Sequence, residues 1–142
     1  MPAIVPVDPI PVALSILTAE GLNAHGEITA AALSSPGYIA VTEASGTAAH
    51  TRYSYSASVQ VVAYSSAGRV AARTLCWQAI QVLSEAAFSS RVTEFGGLHA
   101  VTVDVAPYPQ AIQGLPPGVA RVFSTLSVLT SSTLKWDQAP IS

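Results

Sequence analysis

The clearest pattern in the chain is an alternation of apolar and polar positions between Tyr53 and Ala63. A period of two is typical of a strand with one buried and one solvated face, which favours an antiparallel sheet. The pattern then changes to a helical period and predicts a long helix with an N-cap at Ser65 or Ser66. The apolar stripe of this helix comprises Ala71, Ala72, Leu75, Cys76, Ala79, Val82, Leu83 and Ala86.

A shorter helix is predicted near the N-terminus, after an extended proline-rich segment over residues 1–11. Asp8 is its expected N-cap, because Pro9 fits the first helical turn, and Gly21 ends it. Its apolar face comprises Ile10, Leu14, Leu17 and, less centrally, Val12 and Ile16.

Four further stretches are candidate strands, and the first of them alternates only weakly. They are Gly26–Leu33, Tyr38–Glu43, Leu98–Val105 and Val119–Thr130. Gly96 and Gly97 indicate a hairpin-like connection or a bulge before the third of these. Residues 107–118 are predicted to be a loop, because their prolines lack the N–H that a strand ladder needs.

The resulting order is α-β-β-β-α-β-β, which predicts the α+β class. We expect a mainly antiparallel sheet of four to five strands, with the long helix packed on one face and a short N-terminal helix. A single domain over residues 12–130 and a polar tail over residues 131–142 complete the prediction. A Rossmann-like fold is excluded, because strands and helices do not alternate.

Composition points to contact with partners. The chain has 142 residues, of which 50% are hydrophobic and only 10% charged, and its net charge is −2. An average soluble domain carries about 25% charged residues, so much of this surface must be neutral. We therefore expect an oligomer or a subunit of an assembly, the alternative being a monomer unusually rich in alanine and serine.

Several classes of protein are not expected. The six cationic residues are scattered, which disfavours nucleic-acid binding, and no apolar run approaches the ~18 residues of a membrane span. Residues 1–11 contain no Lys or Arg and do not resemble a secretory signal. Cys76 has no intramolecular partner, so we expect synthesis in a reducing cytosol.

Candidate chemistry is sparse. The three histidines are far apart, and the pair formed by His25 and Glu27 is too small to predict a metal site. His99 shares a parity with Val101, which favours a core position. Cys76 lies on the apolar stripe of the long helix and is interpreted as structural. We expect no catalytic residue, no metal ligand and no cofactor.

One part of the long helix does not fit the core. Trp77 lies nearly opposite the centre of the apolar stripe, flanked by Val70 and Ile80 and close to Arg73. Two interpretations remain open: the N-terminal helix covers Trp77, or these four residues form a subunit contact, since Trp and Arg are enriched in interface cores.

The order and composition of the predicted elements also suggest a family. A helix (PIPVALSILTAEGL) precedes a strand that begins after a proline (SSPGYIAVTEA). A long alternating strand then leads, through Ser65 to Arg73, into a helix that contains Ala and Arg. Two closing strands follow, the last with the run Val122 to Leu126. Over residues 10–130 this resembles the tail terminator, or tail completion, proteins of long-tailed phages and phage-like elements. The chain departs from many relatives in its few aspartates and lysines and in its long proline-rich loop at 106–118.

The resemblance implies a structural virion protein, made in the host cytoplasm, that acts without enzymatic activity. Its subunits would form a ring, usually sixfold, that caps the head-proximal end of the tail tube and presents a docking surface to the head connector. DNA would only pass through the lumen, and no membrane is involved. The alternatives are a head–tail joining or tail tube protein, a non-viral oligomeric binding domain and a small enzyme.

The resemblance also implies contacts with the tube or connector through two loops, Ala44–Arg52 and Ala106–Gly118. The candidate contact residues are Gly46, Thr47, His50, Arg52, Tyr108, Gln110 and Leu115.

Overall fold

The computed structural model describes residues 8–43, 54–109 and 115–131. Over these residues the chain forms an α+β domain with two helices and a curled sheet of six strands. The helices are α1 (Pro9–Ala19) and α2 (Arg69–Phe88). The strands are β1 (Ala24–His25), β2 (Tyr38–Glu43), β3 (Ser54–Ser65), β4 (Val92–Thr93), β5 (Gly96–Pro109) and β6 (Ala120–Ser131). The α+β class is confirmed, with more strands than predicted.

The strands lie in the spatial order β1-β2-β3-β6-β5-β4. Neighbouring strands are antiparallel except for β1 and β2, which are parallel. The centre of the sheet is the pairing of β3 with β6, which runs from Ser54 opposite Ser131 to Ser65 opposite Ala120. The predicted mainly antiparallel sheet is therefore confirmed.

Both helices cover the same face of this sheet. The odd positions of β3 and the even positions of β6 point toward them, as the alternation in the sequence predicts. One core cluster joins the two strands to both helices; its most deeply buried members include Val12, Ile16, Val59, Val61, Leu83, Val122 and Leu126. Burying a side chain of this size contributes about 1.5–3 kcal/mol, so this layer supplies most of the driving force for folding.

Helix α1 begins and ends as its sequence predicts. The Asp8 carboxylate accepts a hydrogen bond from the Ile10 N–H at 3.0 Å, and Gly21 follows the helix with a φ of +83°. A side-chain cap of this kind is worth about 1 kcal/mol. Residues 9–11 belong to α1 and Ser131 belongs to β6, so the folded region extends slightly beyond the predicted 12–130 on both sides.

Helix α1 also joins the two edges of the curled sheet, since it contacts β1 at one edge and β4 at the other. Leu14 shows the arrangement. On one side, Leu14 packs against Gly26, which follows β1. A Cβ added to Gly26 would lie 3.4 Å from the Leu14 Cδ1 atom. On the other side, Leu14 lines a groove together with Phe95, in the turn between β4 and β5.

The strand predicted over Gly26–Leu33 is wrong. The structure instead has the two-residue strand β1 before it and a 3-10 turn at Ala30–Leu33. Three consecutive alanines have low β-propensity, and only the parallel pairing with β2 makes Ala24 and His25 a strand.

Two boundaries also differ from the prediction. Neither Ser65 nor Ser66 caps α2; the N-cap is Gly68, with a φ of +107°, while the Ser65 hydroxyl accepts a hydrogen bond from the Ala67 N–H. Strand β5 continues through Pro107 to Pro109, where a loop was predicted. Proline is tolerated there because β5 has no neighbour on its outer side at this point in the described sheet, and register shifts interrupt its ladder with β6.

Candidate functional site

The outer face of α2 carries exposed apolar side chains among polar ones. Val70 is 78% exposed and Trp77 is 44% exposed, and Arg73 between them is also exposed. A spacing of seven residues brings two side chains to within about 20° of each other around a helix. The interpretation in which the N-terminal helix covers Trp77 is therefore wrong, because α1 packs on the inner side of α2.

Phe88 is a further apolar side chain at the end of α2 and is 95% exposed, with the polar Gln81 and Ser84 between it and Trp77. It lies eleven residues after Trp77, close to three full turns, so both side chains lie on the same side of the helix. Phe88 was not predicted to belong to this surface, although its spacing from Trp77 indicates it. We call Val70, Arg73, Trp77 and Phe88 the α2 stripe.

Ile80 was predicted to belong to this surface, and that assignment is wrong. It is only 3% exposed and lies in the core cluster that also contains Val12 and Ile16 of α1. The buried side of α2 is wider than the sequence stripe indicates, because α2 packs against a helix as well as against the sheet. Ile80 therefore supports the fold and is not available to a partner.

The opposite face of the sheet has a second, smaller cluster at one end. Tyr38 and Tyr64 are buried there, with rings 6.4 Å apart in an edge-to-face arrangement, and the Arg121 guanidinium lies 5.6 Å from the centre of the Tyr64 ring. Val62 and Tyr64 lie on the face of β3 that the alternation in the sequence predicts to be solvated. The even side of β3 is therefore wet only over its first part, where Ser56, Ser58 and Gln60 are half-buried.

Two of the predicted loop contacts lie at this cluster. Tyr108 is 40% exposed and belongs to β5, with its ring edge-to-face on Phe123 at 5.6 Å. Leu115 is half-buried against the cluster and anchors the chain before β6. The remaining predicted contacts lie outside the described residues, namely Gly46, Thr47, His50, Arg52 and Gln110.

Strand β5 presents a free edge. Among the described residues, its outer side pairs only at Gly96 and Gly97, with β4. Beyond that point Val103 and Val105 are 37% and 40% exposed. An unpaired strand edge with apolar side chains can bind a further strand, although the register shifts in β5 make this edge irregular.

The titratable groups of the described residues are dispersed. No group of three or more His, Cys, Asp or Glu residues there could hold a metal ion. His25 stacks on Tyr38 at 4.4 Å and hydrogen-bonds Asn23, and His99 hydrogen-bonds Ser131. His99 is half-buried at the sheet, in a position with structural partners. Among the described residues, neither α1 nor α2 has the length and hydropathy of a membrane-spanning helix.

Cys76 lies on the buried side of α2, with its Sγ 3.4 Å from the Ser124 hydroxyl oxygen. Burial raises the pKa of the Cys76 thiol, and the hydrogen bond with Ser124 offsets only part of this effect. The reactive thiolate is therefore scarce in the folded protein.

We expect Cys76 to resist a thiol reagent such as DTNB at pH 8 in the native chain and to react fully once denaturant is added. The absorbance of the released thiolate measures both reactions. Rapid stoichiometric labelling without denaturant would contradict this placement of Cys76.

No protein-family model matches this chain, and comparison with curated proteins finds no significant match.

Proposed function

We propose that this chain is a structural subunit of a phage neck, a tail terminator that forms a ring on the head-proximal end of the tail tube. In this role it ends polymerisation of the tube and provides the surface on which the head connector docks. The proposal rests on the resemblance in the sequence, and one structural observation supports it most: Val70, Trp77 and Phe88 lie exposed on one side of α2, among polar residues, on a chain with few charges.

The α2 stripe suits a subunit contact in composition. Trp and Arg are the residue types most enriched at interface hot spots, and Trp77 and Arg73 are one turn apart. Val70 and Phe88 place apolar surface on either side of them. A monomer would leave all of this surface in water.

The stripe is too small to be the whole contact. A helix of 20 residues is about 30 Å long and 10 Å wide, which offers roughly 300 Å². A stable interface buries about 800 Å² on each partner. A ring contact therefore needs a second element from the same subunit, and the free edge of β5 is the apolar candidate.

A ring requires two different patches on each subunit, because every contact in it is head to tail. In the proposed arrangement the α2 stripe of one subunit meets another surface of the next, and the faces of the ring bind tube and connector. The slightly acidic composition fits a lumen through which DNA passes without being held.

The test is electron microscopy of lysates from the source phage after removal of this gene, with the gene restored in trans as the control. We expect overlong or headless tails beside separate filled heads, and complementation should restore virions. Complete virions with tails of normal length would overturn the terminator proposal. Heads without any tube would indicate a tube or initiator subunit instead.

A further inference from the structure

A groove lies where α1 meets the turn between β4 and β5. It has a volume of about 680 Å³, and its walls include Leu14 and Thr18 of α1 and Phe95 of the turn. Phe95 is 47% exposed and Leu14 is half-buried, so apolar surface in the groove is open to water. Sites that bury a ligand of drug size have volumes of roughly 300–1,000 Å³, so this groove is large enough to receive an aromatic ring.

The groove carries one charged side chain, Glu94, next to Phe95. Glu94 is exposed and forms no ion pair with any residue of the described ranges, whereas Glu20 pairs with Arg91 at 3.1 Å. A partner that places an aromatic ring in the groove and a cation beside the ring would therefore complement both features.

The α2 stripe of the same chain offers this combination. Trp77 is 44% exposed, and the exposed Arg73 precedes it by one turn, about 6 Å along the helix axis. Within the described ranges Arg73, like Glu94, has no ion pair. Glu94 and Phe95 are consecutive, with Cα atoms about 3.8 Å apart, so the ring and the charge are similarly spaced on the two surfaces. The two surfaces are thus complementary in charge and in spacing.

The α2 stripe and the groove do not meet within one subunit. They share no residue, and Trp77 and Phe95 are both exposed in the folded domain. Each surface is fixed on regular elements, the stripe on α2 and the groove on α1 and the β4–β5 hairpin. A contact between them therefore joins two copies, and association of this kind needs two different patches on every subunit.

We infer that the α2 stripe of one copy docks in the groove of a second copy. The exposed edge of the Trp77 indole lies between Leu14 and Phe95, and Arg73 pairs with Glu94. Interfaces that bury less than about 1,200 Å² are typical of weak complexes, so this contact alone gives weak self-association. The inference rests on the proposed function in that it assigns the surface that the stripe meets in the ring.

The experiment uses the fluorescence of Trp77 in the full chain. The sequence has two tryptophans, so the variant Trp136→Phe leaves Trp77 as the sole reporter. Between about 1 μM and about 1 mM protein, we expect its emission to move to the blue and its quenching by acrylamide to fall, because association removes the indole from water. Sedimentation velocity should show assembly over the same range. Emission and quenching that do not change with concentration would overturn the inference.

Charge reversal in the same background identifies the docking site. Arg73→Glu and Glu94→Arg each place like charges opposite one another, so each should weaken self-association by roughly tenfold or more. Glu43→Arg is the matched control, because it makes the same change of charge at an exposed position outside both surfaces. Far-UV circular dichroism confirms that the variants are folded. Self-association of Glu94→Arg equal to that of the control would overturn the groove as the site, as expected if two stripes pack on each other.

An equimolar mixture of the two charge variants tests the pairing itself. Every contact between unlike variants then joins opposite charges, either in the native order or reversed. We expect the mixture to recover the blue shift and the assembly that neither variant shows alone. A mixture that stays dissociated would exclude the pairing of Arg73 with Glu94. These measurements use the purified chain, so their failure is distinguishable from failure of the terminator role, which the lysate microscopy tests by gene removal.

Discussion

Replacing Trp77 with alanine is expected to leave the chain folded and to weaken its assembly by on the order of 30-fold or more, the usual effect of losing an interface hot spot. Trp77 is 44% exposed on the outer face of α2, so its removal opens no cavity in the core. The loss falls on the assembled state, where the indole would be buried beside Arg73.

The matched control is Gln78→Ala, because Gln78 is the next residue of α2, is also exposed and lies away from the stripe. Sedimentation velocity measures self-association, and thermal unfolding shows that the folds are equally stable. If the parent chain is a single subunit in solution, capping of isolated tail tubes is scored by negative-stain microscopy instead. Equal assembly by Trp77→Ala and its control would remove the α2 stripe from the proposal.

Leu83→Ala is expected to lower the free energy of unfolding by about 3 kcal/mol, within the range for buried leucines. Leu83 is fully buried between α2 and the sheet, so alanine loses apolar contacts and leaves a cavity. For a domain of this size, that is a large part of the total stability. Urea unfolding followed by circular dichroism measures the loss as a lower midpoint at an unchanged slope.

Phe88→Ala is the control, five residues further along the same helix. Phe88 is 95% exposed, so its removal should change the free energy of unfolding by no more than about 0.5 kcal/mol. The contrast between the two positions tests which side of α2 is core. A stability loss in Phe88→Ala similar to that in Leu83→Ala would contradict the described orientation of the helix.

Local signals were sufficient for the elements with strong periodicity. Alternation through β3, the cap at Asp8 and the stripe of α2 each depend on residues close in sequence, and each prediction of an element was confirmed. The α+β class follows from their order. Strands β1 and β4 have only two residues each, and an alternation of apolar and polar residues cannot be recognised over so short a stretch.

The predictions that were wrong concern residues whose burial or strand pairing depends on a distant part of the chain. The prolines at the end of β5 are compatible with a strand only because that strand lies at the edge of the described sheet. Ile80 is buried in the core cluster that α1, α2 and the sheet form together. Phe88, in contrast, had a local signal in its spacing from Trp77.

By itself, the sequence determines that this chain builds a charge-poor α+β domain whose long helix has an apolar inner side and a tryptophan outside it. Periodicity and composition suffice for this, because each element responds to its own alternation of apolar and polar side chains. Only the tertiary structure decided that α1 joins both edges of a curled sheet, that Ile80 is core and that no residue of the described ranges fully covers Val70, Trp77 and Phe88. Burial depends on which elements meet, and that pairing joins residues far apart along the chain.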